Sequence, residues 1–245
     1  MQRGFLEPGE KPRRFYKDVS AAALDVGFAV HLDHRTLRTP KGAPLVLPTR
    51  ALADEIAAEW AGQGEFIQQG DMHATRLANT AAEAIPPARQ ATAAAVAQYA
   101  ASDLLCYYAE APPALVERQR ANWEPVLTRA ERDLGLSFVR VTGIIHRAQP
   151  PQTLARIEAL VMDLDDFNLA GAAFGAALFG SAVLALALSR AWIDGDEALD
   201  LARLDEAFQE EKWGVDEEAA ERTARQRAEA RMLDRWFLAL KPPAF

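Results

Sequence analysis

The stretch FNLAGAAFGAALFGSAVLALAL, Phe167–Leu188, runs for 22 residues without a charge. As a single helix it would be about 33 Å long, enough to cross the hydrocarbon core of a bilayer. Such a segment either spans a membrane or is enclosed by other helices on every side. Nine of its residues are Leu, Phe or Val and eight are Ala, while three glycines, Asn168 and Ser181 oppose insertion. Its flanks are Asp163, Asp165 and Asp166 on one side and Arg190 and Asp194 on the other, with no basic anchor. The neighbouring segments are amphipathic and can supply apolar faces to cover it. The sequence therefore predicts one buried central helix and no membrane insertion, with Gly171 and Gly175 admitting a neighbouring helix closely.

Around that helix the chain changes character near residue 86. The earlier part mixes short β-branched runs with Asp33-His34, Pro40, Gly42, Pro44 and Pro48, which are hairpin and turn signals. Thr49 is placed to N-cap a helix whose Leu52, Ile56 and Trp60 share one face, which predicts a buried Trp60. Beyond Pro86-Pro87 nearly every segment has helical period. Pro125 there predicts a kink or a new first turn, and Gly135 a C-terminal stop. The expected fold class is α+β, with a small α/β N-terminal domain, 1–86, followed by a larger all-α helical bundle, 87–245.

Composition excludes several functions. The net charge is −8 and no Lys/Arg run stands out, against a nucleic-acid partner. Cys106 is alone, which leaves no internal disulfide and no thiolate cluster. His31 and His34 read as hairpin residues, and His73 and His146 are isolated, so neither a metal nor a cofactor is expected. No hydrolase, dinucleotide or phosphate-loop motif occurs, and the expectation is that the chain is not an enzyme. The competing reading is an enzyme with an unrecognised site in the cleft between its domains. The N-terminus lacks an apolar signal-peptide core, which with the lone cysteine points to the cytoplasm.

One segment stands apart. LDEAFQEEKWGVDEEAAE places Asp205, Glu206, Glu210, Glu211, Asp216, Glu217, Glu218 and Glu221 around Phe208 and Trp213. An acidic run is most often a solvated helix face. Aromatics set among acids at a helix end fit an interaction edge better. Gly214 should stop this helix and Asp216 open the next.

The blocks RRFYKDVS, TPKGAPLVLPTRALADEIAAEW, TRLANTA, DLLCYYAE, AQPP and LDEAFQEEKWG with DEEAA follow one another from Arg13 to Ala220. In that order they closely resemble the ATP synthase assembly chaperones that handle the alpha subunit of the F1 sector. The resemblance implies a non-enzymatic binding protein that shields the unassembled alpha subunit until beta subunit replaces it, and the expectation for the buried apolar run is a monomer. It also implies that Glu211 is the position most tied to function, with Asp205, Phe208, Glu210 and Trp213 beside it. Phe208 stands where the family often has Trp, and His34 where a turn glycine is frequent, so His34 is the expected left-handed residue. The helix neighbours of Glu211 include no cation three or four positions away, so its carboxylate is expected to be free for a client.

Overall fold

A computed structural model describes residues 11–241. Residues 1–10, on which the signal-peptide reading partly rests, lie outside the described residues. The fold is α+β, in two compact units.

Among the described residues the first unit runs to Glu83 and also takes in 239–241. Strands β1 (Val19–Ala23), β2 (Phe28–Leu32) and β3 (Arg35–Thr36) form an antiparallel meander, in register through Val19 opposite Leu32. The turn between β2 and β3 has its left-handed residue at Asp33 (φ 53°), not at His34 as expected. The Asp33 carboxylate explains this, because it accepts from the amides of Lys17 (2.9 Å) and Asp18 (2.8 Å). A side chain locked to the segment leading into β1 supports that conformation at Asp, one of the few residue types that adopt it.

Helix α1 (Arg50–Ala61) begins at Thr49, whose hydroxyl accepts from the Leu52 amide at 3.1 Å. Leu52 and Ile56 are fully buried as α1 packs on β1 and β2. Trp60 departs from the expectation. It is only half-buried, and its indole Nε1, though itself covered, has no hydrogen-bond partner. Helix α2 (His73–Glu83) starts on Glu59, whose carboxylate accepts from the amides of Ala74 and Thr75 and from the Thr75 hydroxyl.

The second unit, Ala84–Leu238, is built from helices with one two-residue strand pair. In order they are α3 (Arg89–Ala101), β4 (Tyr107–Tyr108), α4 (Pro113–Leu134), β5 (Val141–Thr142, parallel to β4) and α5 (Pro151–Met162). Then follow α6 (Asp166–Phe179), α7 (Ala182–Ser189), α8 (Gly195–Ala202), α9 (Leu204–Trp213) and α10 (Glu217–Leu240). Helix α4 continues without interruption past Pro125 and stops at left-handed Gly135, so no new helix starts there.

The apolar run is two helices rather than one. Gly180 turns left-handed (φ 63°) and Ser181 caps α7, accepting from the Leu184 amide at 3.0 Å. The corner is fixed by Asp103, which is fully buried. Its carboxylate accepts from the Ser181 hydroxyl (2.7 Å) and from the amides of Val183 (3.1 Å) and Leu105 (3.2 Å). Every residue from Ala182 to Leu188 is buried. No helix among the described residues is long and apolar enough to cross a membrane. The glycines do admit a neighbour, and it is α10. A Cβ on Gly171 would lie 2.9 Å from the Phe237 ring, and one on Gly175 3.0 Å from Leu233 Cδ2.

Candidate functional site

Helix α9 lies against α4 through Leu204 and Phe208, one turn apart and both buried. That contact fixes where each predicted site residue points. Asp205 turns inward and accepts from Gln119 Nε2 at 2.7 Å. Gln119 is itself fully buried, and its Oε1 accepts from the Ala109 amide at 2.8 Å. Burial raises the Asp205 pKa, and the Gln119 hydrogen bond opposes the shift. Phe208 is covered too, its ring flanked by the Arg118 guanidinium (5.1 Å) and the Lys212 ammonium (4.3 Å). Glu210 accepts from Arg203 at 2.8 Å, and Arg203 also donates to the Thr223 hydroxyl.

Glu211 corrects the sequence reading most directly. Its carboxylate is not free. Arg118 of α4 holds it in a two-pronged pair, Nη1 to Oε1 at 2.6 Å and Nη2 to Oε2 at 2.9 Å. The hydrogen bonds from Arg118 hold the Glu211 carboxyl below its ordinary range. The cation is 93 positions away in sequence, so helix spacing around Glu211 could not reveal it. Both side chains remain substantially exposed, at 38% for Arg118 and 56% for Glu211. Such a pair sits in water and exchanges partners at little cost.

Trp213 is 78% exposed and Val215 53%, at the end of α9 and just beyond it. Gly214 ends the helix (φ 83°), and Asp216 opens α10 by accepting from the Ala219 amide at 2.8 Å. Of the five predicted residues, the fold thus leaves Glu211 and Trp213 open to solvent. It turns Asp205 and Phe208 inward and ties Glu210 to Arg203.

The sequence reading missed Arg118 and the groove beside it. A hollow of about 620 Å³ is lined by α4, α8 and α9, with Arg118 and Asn122 on one side and Glu197 and Asp200 on the other. Leu201 and Ala207 line it between them. Asp196 and Asp200 are neutralised by Arg227 and Arg231. Glu197 is exposed and lacks a cation among the described residues. Among those residues no group of His, Cys, Asp and Glu could hold a metal.

Comparison with known proteins places this geometry. Residues 13–131 match the family model described as ATP12 chaperone protein. The structure superposes on that of ATP12 from Paracoccus denitrificans with a TM-score of 0.87 and 41% identity, over 94% of this chain and 98% of that one. A protein described as a candidate chaperone, from Agrobacterium tumefaciens, gives a TM-score of 0.89 and 42% identity over 94% and 87%. The mitochondrial ATP12 protein of Schizosaccharomyces pombe is 24% identical over 221 residues, which is 85% of this chain and 76% of that protein.

Proposed function

The chain belongs to the ATP12 chaperone family, and from that premise we propose that it is an ATP synthase assembly chaperone for the alpha subunit of the F1 sector. In this reading a monomer binds the unassembled alpha subunit, covers the surface that later meets beta subunit, and yields to beta subunit by competition. An exposed subunit interface is aggregation-prone, and shielding it needs no chemical step. The observation that carries the reading is the pairing of the exposed Trp213 with the water-exposed Arg118–Glu211 bridge at one end of α9.

Arg118 holds the Glu211 carboxylate in one orientation while no client is present. A guanidinium of the client can then replace Arg118 at Glu211, while the displaced Arg118, already partly in water, is hydrated. Trp213 contributes apolar burial at the same contact, as aromatic anchors do at interface centres. The groove beside Arg118, with Glu197 on its wall, suits a second basic side chain of the client.

The test is suppression of aggregation of purified alpha subunit. Trp213→Ala should leave the melting temperature of the chaperone unchanged, because the side chain is mostly in water. It should raise the concentration needed for half-suppression by about tenfold or more. Full suppression at the wild-type concentration would remove Trp213 from the site.

A further inference from the structure

The most exposed large apolar side chain of the described residues is not on α9. Ile144 is 98% exposed and Ile145 77%, side by side in the turn that follows β5. Single exposed apolar residues are ordinary on protein surfaces. Two adjacent β-branched residues held almost wholly in water are not, and the turn is braced so as to keep them there. On one side the Gly143 amide donates to the Tyr108 carbonyl at 2.8 Å, extending the β4–β5 pair. Gly143 is left-handed (φ 82°) and closely packed, since a Cβ there would lie 2.5 Å from Glu110 Oε1. On the other side His146 Nδ1 and the Tyr107 hydroxyl share a hydrogen bond of 2.9 Å. The base is fixed in turn: the Tyr108 hydroxyl donates to Glu124, and Arg140 bridges Glu124 and Glu131.

The base of the turn is tied to α9 through the interior. Between Tyr108 and Glu110, the Ala109 amide donates to Gln119, and Gln119 donates to Asp205 of α9. The residue before Gln119 is Arg118, the partner of Glu211. Glu110 is exposed beside Gly143 and has no cation among the described residues. Arg147 contributes the only basic charge in the turn from Gly143 to Ala148 apart from what His146 can carry.

We infer that Ile144 and Ile145 are the apolar anchor of the client-binding edge, entering an apolar hollow on the client that is bordered by basic side chains. This rests on the proposed function and extends it from α9 to a second, preorganised contact. Rigid presentation matters because little side-chain and loop freedom remains to be lost on binding. The carboxylates around the turn and along α9 select a basic border on the partner and disfavour an anionic membrane surface.

The experiment uses the full chain with Ile144→Ser and Ile145→Ser together. Three measurements are made: suppression of alpha-subunit aggregation, flotation with phosphatidylglycerol vesicles, and sedimentation velocity. The melting temperature should move by no more than about 2 °C, since both side chains are largely in water. Half-suppression should need about tenfold more of the variant than of the wild type. Unchanged suppression by the variant overturns the anchor while leaving the proposed function standing. Wild-type protein that floats with vesicles or dimerises, and loses only that property in the variant, assigns the turn to a membrane or to a second copy and also overturns it. Failure of the wild type itself to protect the alpha subunit refutes the proposed function, and the anchor with it.

Discussion

Asp103 and Glu211 both tie one helical segment to another, and their settings are opposite. Asp103 lies at the corner between α6 and α7, fully buried, with a hydroxyl and two backbone amides as its donors. Glu211 lies at the rim of α9 with a guanidinium as its partner and water around both. The interior acid is held by neutral donors that nothing else can satisfy. The rim acid is held by a cation that another cation can replace. The contrast separates a carboxylate that specifies the fold from one whose partner can be exchanged.

The largest effect expected is at the corner. Asp103→Ala removes the acceptor for the Leu105 and Val183 amides and for the Ser181 hydroxyl, all in the interior. The loss should be about 3–5 kcal/mol, from unmade hydrogen bonds and a cavity together. Urea unfolding measures it. A loss below about 1 kcal/mol would break the comparison, because Asp103 would then be no more structural than a surface residue.

The corner also has a distinctive pH dependence. Burial pushes the Asp103 carboxyl up to about 6, against the opposing hydrogen bonds from Ser181, Val183 and Leu105. A carboxyl raised in the folded state binds its proton more tightly there than in the unfolded chain. Its contribution is therefore greatest near pH 4 and falls as pH rises towards 6, by about 3 kcal/mol in all. The stability difference between wild type and Asp103→Ala should shrink across that window. A difference that grew from pH 4 to 6 would reverse the assignment.

Gln119 stands between the two cases. It is fully buried, like Asp103, yet it anchors the α9 edge by bonding both Ala109 and Asp205. Gln119→Ala should cost about 2–3 kcal/mol, chiefly through the orphaned Ala109 amide and the half-buried Asp205 carboxylate. It should also weaken client capture by loosening α9. Loss of stability with capture fully retained would show that the edge does not depend on this anchor.

How much of this was legible in the sequence divides along the same line. Thr49, Gly135, Gly214 and Asp216 act on their own helix ends, and local spacing announced them correctly. The acidic and aromatic make-up of α9 was equally visible. What local spacing could not show were bonds made across the fold. The break at Gly180-Ser181 depends on Asp103, 78 positions before Ser181, and the bridge to Glu211 on a residue in α4. A run of 22 uncharged residues read as one helix because the buried acid that divides it lies outside the run. Ile144 and Ile145 are ordinary strand-forming residues in sequence, and only the bracing on either side of the turn shows that they are held out.

Of Asp103, Gln119 and Glu211, the last has the smallest stability effect, and it is the most informative about binding. Glu211→Gln breaks an exposed pair, so the melting temperature should fall by no more than about 2 °C. Arg118 holds the Glu211 carboxyl low, so what the pair contributes is present at neutral pH and lost as pH falls through the lowered range. That sign is opposite to the one at Asp103. Stability alone cannot distinguish a binding residue from a minor brace, but capture can, because the two partners should then respond differently. If a client guanidinium takes the place of Arg118 at Glu211, Glu211→Gln should raise the chaperone concentration needed for half-suppression by about tenfold. Arg118→Gln removes the competing cation and leaves the carboxylate in place, so capture should be retained or improved. Equal losses in both variants would mean that the intact bridge shapes the edge as a structural unit, and Glu211 would then belong with Asp103 after all.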